Sequence, residues 1–161
     1  MAGDDNEVPN TVYFKPNRIG LTLLAHTIGL QQMKIKAARA GWTGWQSGDR
    51  LAKFDADSRP DATAIDAAGT VWCIEFERTI KTSARYESIL FTRLRDVKAG
   101  KYQRAVWVTE TRHEAARLRG LVLNIREFTR THAGVKQQVR VVPETHHPLL
   151  AFTDISSFPS R

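Results

Sequence analysis

The stretch Val71-Trp72-Cys73-Ile74-Glu75-Phe76-Glu77 decides more about this chain than any other. Its β-branched and aromatic residues read as a strand. Successive side chains on a strand point to opposite faces. Trp72, Ile74 and Phe76 therefore share one face, and Val71, Cys73, Glu75 and Glu77 share the other. The first set is expected to face a core and the carboxylates a cleft. A second apolar run, Ala62 to Asp66, comes just before, and the tight connection Ala67–Thr70 contains Gly69. The two runs read as an antiparallel hairpin. Pro60-Asp61 opens it, and Arg78-Thr79-Ile80-Lys81 follows it.

The rest of the chain reads as scaffold or substrate surface for this hairpin. Residues 1–18, with Pro9 and Pro16, read as an N-terminal arm, and 19–161 as one domain. From Ile19 the apolar residues Leu23, Leu24, Ile28, Met33 and Ile35 recur at mostly three- and four-residue spacing, which predicts a helix ending at Gly41. Gly29, costing about 1 kcal/mol in a helix interior, marks where it could divide in two. Trp42 and Trp45 read as core plugs or hinge residues, and residues 51–58 as a weakly patterned first strand. Thr82 or Ser83 can cap a helix running to about Val97. Tyr86, Ile89, Leu90, Leu94 and Val97 form its apolar stripe, and Arg85, Arg93, Arg95 and Lys98 its cationic side.

Ala105–Thr109 is nearly all apolar, as a buried parallel strand would be. A helix from about Arg112 to Phe128 and a short strand near Val139–Val142 are expected next. The tail, with Pro143, Pro148 and Pro159, reads as irregular. The order helix, strand, hairpin, helix, strand, helix, strand predicts a three-layer α/β unit: a mixed central sheet flanked by helices.

The net charge of +7 favours a polyanionic partner, nucleic acid before an anionic membrane. Between Arg78 and Arg104 eight basic residues stand against two acids, which suits contact with a phosphate backbone. The single cysteine, Cys73, permits no disulfide within the chain and fits a reducing cytosol. No apolar run approaches the ~20 residues of a membrane span, and the polar N-terminus is no secretory signal. A cytoplasmic protein is expected. Gly-rich phosphate loops and Gly-x-Ser-x-Gly elbows are missing. His146 and His147 are adjacent and would point apart, so zinc is not expected. His26 and His113 read as surface or helix-packing residues.

Carboxylates converging on one point bind a hard cation such as Mg2+ or Mn2+. Asp61 and Glu75 can lie side by side across the hairpin, with Glu77 one pleat further, about 7 Å along the strand. Lys81, Arg78 and Arg85 are near enough to meet a scissile phosphate. Singly, each carboxylate reads as ordinary turn or strand chemistry. Jointly, beside a basic helix, they point to a shared site.

Pro60-Asp61, the hairpin and Glu75-x-Glu77 resemble the PD-(D/E)xK nuclease motif, which implies an αβββαβ, restriction-endonuclease-like core. The string IEFERTIKTSARYESIL, with GWTGW and RPDA upstream, more specifically resembles the MobC-type plasmid mobilisation and replication-relaxation proteins. The resemblance implies Asp61 and Glu75 as ligands of Mg2+ or Mn2+, and DNA as substrate. Mobilisation or replication proteins are implied as partners. It implies a DNA endonuclease or nickase, with Asp61, Glu75, Glu77 and Lys81 as its site. Arg78, Arg85, Arg93, Arg95 and Lys98, concentrated beside the carboxylates, are the expected DNA contacts. Glu77 stands where the motif has lysine. Either it is a third ligand and Lys81 supplies the cation, or the chain is a catalytically weak DNA-binding accessory module. The family also implies a winged-helix part ahead of the nuclease-like domain. Residues 1–18 are too short for one, so unaided origin recognition is not expected.

Overall fold

A computed structural model describes residues 20–48, 51 and 59–159. The predicted arm and the strand expected at 51–58 lie, but for residue 51, outside them. Five strands form the central sheet in the order β1-β2-β3-β4-β7: Thr43–Ser47, Ala62–Ile65, Val71–Glu77, Arg104–Thr109 and Leu150–Asp154. β1, β2 and β3 run antiparallel, whereas β3/β4 and β4/β7 are parallel. The helices are α1 (Leu21–Arg39), α2 (Ser83–Lys98), α3 (Arg112–Leu123) and the short α4 (Pro143–His146). A two-stranded ribbon, β5 (Glu127–His132) and β6 (Val135–Arg140), stands apart from the central sheet. The chain is thus an α/β protein with a mixed sheet between helical layers.

The β2–β3 hairpin forms where its alternation predicts. Asp66 closes its turn: one carboxylate oxygen accepts the amides of Ala68 and Thr70, each at 2.9 Å, and the other accepts the Trp72 indole at 2.8 Å. Gly69 adopts φ +86°, a conformation glycine takes without steric cost.

Strand parity divides the interior into two cores. Trp72, Ile74 and Phe76 join Val106, Val108, Met33 and Ala37 beneath α1. Cys73 joins Tyr86, Leu90, Ala105, Trp107 and Leu118 beneath α2 and α3. Both faces are therefore covered, and Glu75 and Glu77 look into a helix layer rather than an open cleft. Parity along one strand separates its two faces but does not reveal that a helix covers the second.

Several elements differ from expectation. The short strand expected near Val139–Val142 is β6, Val135–Arg140, which pairs with β5 in the separate ribbon. α1 is unbroken at Gly29, because that residue is where Phe76 approaches the helix: a Cβ there would fall 2.0 Å from a ring carbon. The first strand is β1, carrying Trp45; Trp45 and Trp42 both pack on the α1 core. α3 stops at Leu123, since Phe128 belongs to a strand and not to the helix. The tail supplies β7, which completes the parallel half of the sheet.

Candidate functional site

The last β2–β3 pair before Asp61 is Ala62 opposite Ile74, so continuing the register by one residue sets Asp61 opposite Glu75. β2 has ended there, and the Phe76 amide would lack a strand partner. Asp61 supplies one: its Oδ2 accepts the Phe76 N–H at 2.7 Å. Its Oδ1 lies 3.1 Å from Nε2 of His26 on α1. The imidazole packs against Phe76 with ring centroids 5.5 Å apart. Asp61 thereby ties α1 to the middle of the sheet. Its carboxylate, hydrogen-bonded to the ring, raises the His26 pKa above its usual 6.5 against the opposing effect of burial.

Glu75 lies on the other side of β3, its side chain 16% exposed, and its Oε1 pairs with the Arg93 guanidinium at 2.5 Å. Burial pushes the Glu75 carboxyl up to about 7. Arg93 pulls it down, while the negative charges of Asp61 and Glu77 add to the rise. Glu75 thus feels the charges of both neighbouring carboxylates. Glu77, 9% exposed, pairs with Lys81 one turn beyond the strand. The Tyr86 hydroxyl accepts the Lys81 amide at 3.1 Å and lies beside Glu77, and burial raises its pKa. Thr82 caps α2 by accepting the Arg85 amide, which fixes where the helix starts beneath these groups.

The expected cations scatter. Arg78 is half-buried, ion-paired with Glu110 at 2.8 Å and bonded to the Thr22 carbonyl. Arg85, Arg95 and Lys98 are exposed on α2. Arg93 is not on that cationic side: only 5% exposed, it is buried against Glu75. Asp96, fully buried, explains the inward turn, with Arg93 at 3.8 Å, Arg95 at 3.1 Å and Lys101 at 3.2 Å. An arginine and an aspartate at i and i+3 both face inward because each finds an opposite charge there. Cys73 is fully buried and its thiol is pushed well up by that burial, so it stays protonated and inert.

A concavity of about 600 Å3 opens onto Asp61 from the α1 side, lined by His26, Thr27, Gln31, Ser47 and Arg59 among others. His26, expected at the surface or in helix packing, does pack on Phe76, but its hold on Asp61 has no signal in the sequence. Its partner stands 35 positions away, and no local pattern connects them.

The chemistry of the donor set suits a hard cation, since Asp61 and Glu75 offer carboxylate oxygens at one end of a hairpin. Asp61 is held from the α1 side by His26, and Glu75 from the α2 side by Arg93. Glu77 is engaged by Lys81, and among the described residues no three His, Cys, Asp or Glu side chains stand grouped around one point. Magnesium is commonly held by one or two carboxylates with water completing its shell. Among the described residues no helix is long and apolar enough to cross a membrane. No protein-family model, curated protein or solved structure matches this chain.

Proposed function

We propose that the chain is a Mg2+- or Mn2+-dependent DNA endonuclease or nickase, serving plasmid mobilisation or related DNA processing. What supports this reading is that Asp61 and Glu75 come to the same end of the hairpin, near enough for the Asp61 charge to act on Glu75, with Lys81 paired to Glu77 just beyond the strand. The resemblance of IEFERTIKTSARY to mobilisation proteins supplies the substrate class.

Asp61 and Glu75 would hold the cation, which when bound lowers the pKa of a water and offsets charge developing on phosphate. The remaining work belongs to the chain's own side chains. Arg93 aims Glu75 and favours its ionised form. His26 and the Phe76 amide hold the Asp61 carboxylate in place from two directions. Glu77 tethers Lys81 at the strand exit, where its ammonium can meet a phosphate oxygen. In this reading Glu77, at the motif's lysine position, holds Lys81, and Lys81 supplies the cation.

A second reading is a DNA-binding accessory module with little catalysis. What favours it is that all three carboxylates already have protein partners. Supercoiled plasmid incubated with Mn2+ separates the two. The enzyme reading expects nicking by the wild type and about tenfold to a hundredfold less by Asp61→Asn, a loss on the scale of a missing orienting group at a metal site. The substitution retains an acceptor for the Phe76 amide, and a thermal melt of the variant checks that the fold survives the altered His26 contact. Equal behaviour of the two proteins sinks the enzyme. Salt-dependent DNA binding that persists in EDTA then identifies the accessory module.

A further inference from the structure

The β5–β6 ribbon takes no part in the site described above. It pairs with no strand of the central sheet. An isolated two-stranded hairpin is marginal in water, and this one is held at its base. Phe128, 8% exposed, and Val139 pack into the core beneath α2. The Arg130 guanidinium lies 3.9 Å from the centre of the Phe91 ring on α2, and the Val141 amide donates to the Arg126 carbonyl at 2.7 Å. Beyond that anchor, residues 131–138 are all exposed.

The register sorts the ribbon's side chains. Phe128/Val139, Arg130/Gln137 and His132/Val135 form the face that begins on the core. The opposite face carries Glu127/Arg140, Thr129/Gln138 and Thr131/Lys136. It holds two cations and one acid, at the base, and otherwise hydroxyls and an amide. Thr129 Oγ1 donates to Gln138 Oε1 at 3.1 Å, which commits the amide oxygen and leaves its nitrogen as a donor. Arg140 also lines a concavity of about 590 Å3 with Arg95 and Lys98 from the last turns of α2. Cations thus run from the ribbon onto α2, whose Arg93 pairs with Glu75 of β3. Thr129–His132 extends about 13 Å at roughly 3.3 Å per residue. The B-DNA major groove is about 12 Å wide and admits a two-stranded ribbon.

We propose that the β5–β6 ribbon inserts into the major groove of duplex DNA. Lys136 and Arg140 meet phosphates, and Gln138 and Thr131 meet base edges. This deepens the proposed function by naming its recognition element. It rests on that reading for the ligand, DNA, and not for the metal chemistry.

The test is fluorescence anisotropy of the full chain in EDTA with a labelled duplex of about 30 bp, between about 50 and 200 mM salt. Lys136→Ala combined with Arg140→Ala is expected to weaken binding about tenfold at the lower salt. It should also reduce the slope of log affinity against log salt by about 2. Both side chains are exposed, so the melting temperature should stay put. Lys136→Glu, which reverses one charge, should weaken binding further than Lys136→Ala. Selection from a duplex pool randomised at its centre should enrich a shared sequence with the wild type and blur one or two positions with Gln138→Ala.

Wild-type affinity and slope in the double variant overturn the proposal. So does an equal loss on duplex and single-stranded DNA, which would mean general phosphate attraction. Ribbon-dependent binding without nicking leaves the ribbon standing and removes the enzyme. Nicking with ribbon-independent binding does the reverse.

Discussion

Glu75 lies between the Arg93 guanidinium and the carboxylates of Asp61 and Glu77, and its ionisation depends on that balance. Removing Arg93 takes away the cation that favours the charged form, so the Glu75 carboxyl must rise above its present value of about 7. The cost of the change therefore depends on pH. Below about 5.5 Glu75 can take up a proton and little buried charge is stranded. At pH 8 it must either stay charged without a partner or hold a proton against the solvent. Arg93→Met is expected to destabilise by about 3 kcal/mol at pH 8, typical of a broken buried pair, and by clearly less at pH 5.5. Urea midpoints at the two pH values check this. An equal loss at both would mean that Arg93 acts by packing alone.

α1 covers one face of the sheet, and its approach is set by Gly29 against Phe76. Phe76 also contacts His26, which holds Asp61, so helix packing and site geometry share one ring. Gly29→Ala gains helix propensity of about 1 kcal/mol but places a methyl group inside the ring's space. Overpacking of this kind costs about 1–3 kcal/mol, and the atoms in the way belong to the buried Phe76 ring. The expected result is a net loss of stability in thermal melts and, in the nicking assay, a loss of activity larger than the fraction unfolded explains. Gly29→Ala together with Phe76→Leu should recover much of the stability. α2 is organised differently: its Thr82 cap and apolar stripe place it, and Arg93 and Asp96 lock it to β3 and to Lys101.

Across the whole molecule, the dependence of stability on pH follows from groups whose folded pKa differs from the unfolded one. Glu75 is raised from 4.5 to about 7, so between those values the folded state keeps a proton that the unfolded state has lost. Stability falls as pH rises through that window. His26 is raised above 6.5; its contribution is complete below that value and is lost as pH rises past it. His147, lowered by burial and by Arg126, opposes this. Asp66 and Asp154 are lowered below 3.8, so they destabilise the fold only in stronger acid. The protein is expected to melt at a higher temperature at pH 5.5 than at pH 8.5. His26→Gln should flatten the upper part of that decline. A wild type that gains stability from pH 5.5 to 8.5 contradicts both assignments.

The sequence by itself determined the β2–β3 hairpin, which residues share each of its faces, a helix α2 starting at Thr82 or Ser83, and the buried β4. Each is written in a local signal: period-two alternation, a capping hydroxyl, a continuous apolar run. It also determined that Asp61 and Glu75 could be neighbours, because a tight connection leaves an antiparallel pair little choice of register. Tertiary structure decided the rest. β1 and β7 are short, and pairing with β2 and β4 makes them strands where composition alone does not. Gly29 reads as a helix breaker until Phe76 is seen to need the space. Arg93 reads as a surface cation until Glu75 and Asp96 are found beneath it. His26 joins the site across 35 residues because α1 packs over the hairpin. Local patterns are set by neighbours along the chain. The partner of a buried charge is set by which elements the fold brings together.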